Sequence, residues 1–385
     1  MPFNLYPFSH SPCDCYFKPS VRDFVVEEIP LYEPSGSGEH CLVYVRKKAL
    51  STFELLNLLS RTLGCKVRDI GYAGLKDKAA TTYQYLSIHR SLLPRLESAF
   101  EALAEKQVKI LHITPHHNKL KIGHLKGNRF FVRLKKCTPL CASKIHSILA
   151  ALGQSGFPNY FGGQRFGKDG DNFTSGKALA HKQVQMKNKK MSNFLISSYQ
   201  SYLFNEWLNA RVELSQIVHN FSPNDALKAL RYSSNPALQA LGQEWKIQAL
   251  KALQAQKQPF VILKGDVMCH YPFGKTFICD EPNIEAMRFM QKDVAPMGAL
   301  CGQKLIYAQT DALLCESPFI DKQIKTSGTR RYAWVWAEDI EGEYINQKAH
   351  FELHFSLPKG SYATTFLESV LHRPLDSMSE EYDEE

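Results

Sequence analysis

The hydrophobic pattern changes character twice along the chain. Near the start, "DFVVEEI" (23–29) and "CLVYVR" (41–46) are short apolar runs of strand type, joined by the loop-forming "EPSGSGEH". "STFELLNLLSRTLG" then takes up helical spacing through Phe53, Leu56, Leu59 and Leu63, with Ser51 and Glu54 as a capping box and Gly64 as the stop. After it "YQYLSI" alternates as a strand, "LKGNRFFV" reads as a turn entering a strand, and "ASKIHSILAALGQSG" is helical. The loop-like "GFPNYFGGQRFGKDGDN" marks the first change. Helical periodicity then dominates "NFLISSYQSYLFNEWLNARVEL", "NDALKALRYS" and "PALQALGQEWKIQALKALQA". The second change comes near the end. "AHFELHFSLP" alternates strictly, with Phe351, Leu353, Phe355 and Leu357 on one face, and "KGSYATTFLESVLH" turns into a helix. No internal repeat interrupts this order. Strands at both ends and helices between predict an α+β fold, one domain built from the two termini around a helix-rich insertion.

Length and composition agree with that picture. The chain has 385 residues, 44% of them hydrophobic and 22% charged, enough for a sizeable core and two domains. No apolar run approaches the roughly 20 residues of a membrane span. The first residues lack the charged start and apolar stretch of a secretory signal, so a cytoplasmic protein is expected. The ten cysteines lie far apart except for Cys13/Cys15 and Cys137/Cys141, no CxxC pair recurs, and no close histidine pair follows a cysteine pair at zinc spacing, so free thiols with no bound metal are expected. Charge points to a partner. There are 47 Lys and Arg against 38 Asp and Glu, and six of the acids (Asp376, Glu380, Glu381, Asp383, Glu384, Glu385) lie in the last ten residues. The rest of the chain then carries 47 cations against 32 anions, a net +15. A basic body with a short acidic tail suits a polyanion such as nucleic acid.

Candidate chemistry lies in three stretches. "GYAGLKDKAATTYQYLS" (71–87) sets one acid, Asp77, between Lys76 and Lys78. Flanking cations favour the ionised carboxylate, so its pKa is not expected to rise, as suits a nucleophile rather than a general acid. The plain alternative is a surface turn. "NKLKIGHLKGNRFFVRLKK" (118–136) holds seven cations and no acid. Its Phe130 fits either a ring that stacks on a base or a core residue, and Asn128 fits either a base-edge contact or a turn. "GSGEH" lacks the helix and third glycine of a dinucleotide site.

Taken together and in order, "KPSVRDFVVEE", "GSGEH", "YAGLKDKAATTYQYLS", "HLKGNRF", "GFPNYFGGQRFG" and "LPKGSYAT" resemble the TruD family of tRNA pseudouridine synthases, from about Lys18 to Thr364. The resemblance implies a pseudouridine synthase catalytic fold, a mixed, largely antiparallel sheet with helices, interrupted by a family-specific insertion. It sets the catalytic domain at residues 1–155 and 329–375, the insertion at 156–328 and an acidic tail at 376–385. The implied reaction isomerises uridine, at position 13 of tRNA in bacterial members, without metal or cofactor and with no obligate protein partner. The family's catalytic aspartate matches Asp77. The base-packing aromatic matches Phe130 and the adjacent amide Asn128. Further pocket aromatics match Phe24 and Tyr362, and a basic residue that can approach the aspartate matches Lys18. The rival readings are an RNA-binding protein of the same fold without catalysis and a metal-dependent RNA-processing enzyme.

Overall fold

A computed structural model describes residues 4–167 and 169–375, so the acidic tail lies outside the described residues. The chain divides into two compact units. One comprises Cys13–Gly153 and Ala337–Gly360; the other comprises residues 4–12, Gln154–Trp336 and residues 361–375.

The first unit is built on an eight-stranded sheet. Its strands are β1 (Phe24–Pro30), β2 (His40–Lys48), β3 (Gly71–Tyr72), β4 (Thr81–His89), β5 (Val108–His116), β6 (Leu125–Leu134), β7 (Glu338–Ile345) and β8 (His350–Pro358). They run in the order β7-β8-β6-β1-β4-β2-β5, with β3 paired to β4. Only β1 and β4 pair in parallel; the rest of the sheet is antiparallel. Helix α1 (Thr52–Leu63) forms where its local signals place it. Ser51 caps the first turn, Glu54 returns the capping bond, and Gly64 closes the end with a left-handed backbone (φ 64°). Leu55, Leu56, Leu59 and Leu63 bury against Val43, Val45 and Leu86 on β2 and β4. Helix α2 (Pro139–Ser155) follows β6, and its His146 ring meets Phe351 of β8 at 4.9 Å. The alternating β8 buries Phe351, Leu353, Phe355 and Leu357, as its pattern predicts.

One local expectation changes. "LKGNRFFV" is strand throughout, and Gly127 makes no turn. It lies opposite Pro358, where a Cβ would stand 2.1 Å from the Leu357 carbonyl oxygen; the glycine permits close strand approach.

The second unit is mainly helical around the long α3 (Lys189–Asn220). Its helices include Pro223–Arg231, Pro236–Glu244 and Ile247–Gln254, so the continuous helical reading of 236–255 breaks at Trp245. It also holds a four-stranded sheet that the sequence pattern does not reveal, with Thr329–Tyr332, Val294–Leu300, Val267–His270 and Thr276–Ile278 side by side. The segment from Gln154 closes on itself where Phe157 and Pro158 pair with Val335 and Trp334. The C-terminal helix α4 (Ala363–Leu371) joins this unit because Phe366 packs on Phe157 at 5.2 Å.

Candidate active site

Strand register assembles the site in the first unit. Directly opposed residues of paired strands share a face. Glu28 on β1 opposes Asn128 on β6; Val26 opposes Thr82 on β4, which opposes Lys47 on β2; Val45 opposes Gln84. The face packed by α1 therefore carries a polar strip of buried Glu28, Thr82, Gln84 and Lys47 with half-buried Asn128. Lys47 is fully buried and Glu28 is 2% exposed. Isolated charges at such positions are costly, so each needs partners.

The Asp77 loop supplies them. Between β3 and β4 the chain passes over this strip, and Lys76 reaches down to Glu28 with Nζ to Oε2 at 2.6 Å. The Tyr85 N–H donates to the second Glu28 oxygen at 3.2 Å. Lys47 donates to the carbonyl oxygens of Leu50 and, at 3.2 Å, of Asp77 itself. The backbone N–H of Lys76 donates to Thr52 Oγ1 at 2.9 Å, and Thr52 donates to Gln84 at 3.3 Å, so the first turn of α1 fixes the loop. Lys78 points the other way, to an exposed pairing with Glu54 at 2.7 Å. Beside the acid, Leu75 is 59% exposed, an apolar surface unusual on a loop this well anchored.

Asp77 is half-buried, and burial raises its pKa above 3.8 although Lys47 and Lys76 pull it down. This corrects the expectation that its neighbours in sequence would prevent a rise. Of those neighbours, Lys78 is spent on Glu54, and the cation of greatest effect is Lys47, thirty residues away. Burial lowers Lys47 from 10.5 to about 8, with Asp77 opposing the fall. Burial also raises Glu28 despite its bond to Lys76.

The other expected residues are placed unevenly. Phe24 and Phe130 lie on the same face as the strip, their rings stacked 6.2 Å apart, and Phe355 flanks Phe130 at 5.2 Å. Phe130 is thus a packed ring, 5% exposed, in an aromatic row across β1, β6 and β8. Asn128 stands two residues before it, and its Oδ1 is buried with no hydrogen-bond partner among the described residues. Lys18 is exposed on the irregular arm preceding β1. Three residues on, that arm is tied to the end of the Asp77 loop where Thr81 Oγ1 donates to the Val21 carbonyl at 2.7 Å. Tyr362 belongs to the second unit, just before α4, where its ring lies 6.1 Å from Phe161. Arg331 sits over the Phe161 ring at 4.0 Å and over Tyr362 at 5.9 Å. Arg165 donates to Ser201 and Ser197. Arg331 also donates to the Asn159 carbonyl at 3.0 Å and to the Asn159 side-chain oxygen at 2.9 Å, and burial lowers both guanidinium pKa values.

Sequence reasoning singled out neither Lys47 nor Arg331. Lys47 is one of two lysines in "VRKKAL", and only strand register separates the buried one from its neighbour. A further basic cavity of about 610 Å³ in the first unit is lined by Tyr32, His116, Asn118, Lys119, Lys121 and His124. It draws on the cation-rich stretch at 118–136.

The chain matches the family model described as tRNA pseudouridine synthase D (TruD) over residues 1–187 and 248–370. It is 66% identical to the tRNA pseudouridine synthase D of Helicobacter hepaticus over 367 residues, 95% of each chain. It is 48% identical to that of Wolinella succinogenes over 371 residues, 96% of this chain and 98% of the relative. Its fold is similar to the crystal structure of a Methanosarcina mazei chain named for the same family, with a TM-score of 0.61, 22% identity and 97% of each chain covered. The α+β architecture, the largely antiparallel sheet and the near full-length match lead to one assignment: the chain belongs to the TruD family of tRNA pseudouridine synthases.

Proposed function

We propose that the chain isomerises uridine 13 of tRNA to pseudouridine, with Asp77 as the reacting carboxylate. The observation that carries this reading is the placement of Asp77. It is one half-buried acid with two lysines acting on it, on a loop fixed from below through Lys76, Lys47 and Thr52. The reaction breaks the C1′–N1 bond, turns the uracil and joins C1′ to C5; N1 gains a proton and C5 loses one. A carboxylate can attack the sugar or the base, or serve a glycal route, and each requires it ionised at the outset. Lys47 and Lys76 favour that state. Water-poor surroundings leave the carboxylate weakly solvated and reactive.

The base must leave its stack to reach such a position. In this reading the unpartnered Oδ1 of Asn128 accepts a hydrogen bond from the uracil edge. The Phe24–Phe130 row forms the apolar floor, and Lys18 approaches the acid from the arm. Tyr362 is a further aromatic that contacts the substrate in this reading. In this reading residues 1–155 and 329–375 form the catalytic domain and 156–328 the insertion. The compartment that fits is the cytoplasm, where tRNA is used.

The test is carbodiimide labelling of pseudouridine in a tRNA transcript after incubation with the full-length chain. A single new reverse-transcription stop at position 13, absent when that uridine is replaced by cytidine, is expected. A stop elsewhere, with position 13 untouched, overturns the assignment of position.

A further inference from the structure

The two close cysteine pairs of the sequence meet in the fold. Cys13 and Cys15 lie on the N-terminal arm, and Cys137 and Cys141 lie where β6 gives way to α2. Tyr16 and Lys135 bring the two segments together by exchanging backbone hydrogen bonds, 2.8 Å in each direction. The sulfurs of Cys15, Cys137 and Cys141 all lie within 4.8 Å of one another, with Cys15 and Cys141 at 3.3 Å. Cys13, two residues before Cys15, is a fourth buried thiol on the same arm and interacts with Cys141. None is more than 6% exposed. The surrounding backbone is pinned. The Cys137 N–H donates to Ala349 O at 2.8 Å, Tyr344 donates to Cys137 O at 3.0 Å, and the Cys141 N–H donates to Thr138 Oγ1 at 3.2 Å.

Four thiols packed together gain little as hydrophobes and make only weak hydrogen bonds. As metal ligands they are well placed. Tetrahedral zinc with bonds of about 2.3 Å holds its sulfurs about 3.8 Å apart, close to the spacing here. Two ligands from each of two chain segments is a common plan for a structural zinc site. The surroundings suit a site of net charge −2, four thiolates around a divalent ion. Cys141 lies in the first turn of a 17-residue helix, whose dipole favours negative charge, and the Lys144 ammonium acts on both Cys141 and Cys13.

We propose that Cys13, Cys15, Cys137 and Cys141 bind one zinc ion as a tetrathiolate, clipping the N-terminal arm to the end of β6. Binding releases the thiol protons and needs no redox partner. The clip would hold the arm three residues before Lys18, so it bears on the candidate active site without entering its chemistry.

The test uses the full-length chain, purified with a reductant and without chelator. Plasma mass spectrometry should find about one zinc per chain. Exchange for cobalt(II) should give the strong visible bands of tetrahedral cobalt with sulfur-to-metal charge transfer in the near ultraviolet. The cobalt spectrum is read on the wild-type chain, so it does not depend on a variant folding. Cys15→Ser and Cys141→Ser should each lose most of the metal, and Cys65→Ser, outside the group, should keep it. Zinc removal should lower Tm, because metal binding adds to folding free energy. Metal-free wild-type protein with only weak octahedral cobalt bands overturns the proposal. So does a Cys15–Cys141 disulfide in reductant-free peptide maps, or zinc that survives both serine variants.

Discussion

At Asp77 two influences oppose each other: burial raises the carboxyl pKa, and the Lys47 and Lys76 ammonium groups lower it. Burial wins, so turnover should fall with decreasing pH through a pKa above 3.8, read from a single-turnover pH profile. Lys47 supplies the complementary test. Its pKa drops from 10.5 in the unfolded chain to about 8 in the fold. Between those values the unfolded chain binds a proton that the folded one lacks. Stability from this group therefore rises with pH across the window and is lost as pH falls through 8. Thermal melts should show a smaller rise over that range for Lys47→Met than for wild type; parallel curves would mean that Lys47 does not titrate there. Asn128 separates stability from function. Its buried Oδ1 already lacks a partner, so Asn128→Leu should leave Tm unchanged or higher while pseudouridine formation drops. A lower Tm with full turnover would make Asn128 a structural residue. Asp77 stands out as a candidate in the sequence because glycines and lysines crowd around it. Its true electrostatic partner was not, since only the pairing of Lys47 with Thr82 puts that lysine underneath.

Helix α1 and the sheet carry the loop, and their roles differ in how they are encoded. The helix was readable to within a residue at each end because its cap, apolar spacing and terminal glycine are all local. Its second task, holding the Lys76 N–H through Thr52 Oγ1, depends on a contact 24 residues away and leaves no local trace. Thr52→Val keeps the shape but strands that donor. It should cost about 1–3 kcal/mol and slow turnover together, measured by chemical denaturation and single-turnover assay. Phe130 tests the aromatic row. Packed between Phe24 and Phe355, it should cost about 3–5 kcal/mol when cut to alanine. Phe130→Leu should fold and yet turn over more slowly, whereas full activity would make the ring core alone. The strands of the second unit were hidden for a different reason. "VAPMGAL" contains Pro296 and does not alternate, so its strand character comes from pairing with Val267–His270 and Thr329–Tyr332. The start of the "LKGNRFFV" strand reads as a turn because a glycine needed for close approach looks locally like a glycine needed for bending.

For the molecule as a whole, composition set the expectation of a polyanionic partner, and the family supplies it as tRNA. Residues 1–375 carry +15, so affinity for tRNA should fall steeply with salt, each neutralised phosphate adding about −0.9 to the slope for duplex or −0.7 for single strands. Removing residues 376–385 takes away six acids and no cation, and binding should hold or tighten slightly in a filter or fluorescence assay. A large loss would assign RNA contact to the tail. The predictions about turnover rest on Asp77 as the reacting group, and one measurement addresses it directly. Asp77→Asn keeps the side chain's size and its tolerance of the loop conformation while removing the charge. Under single-turnover conditions with full-length tRNA, and with circular dichroism matching wild type, pseudouridine yield should fall to background while tRNA binding persists. Near-normal yield from the folded variant would contradict the account.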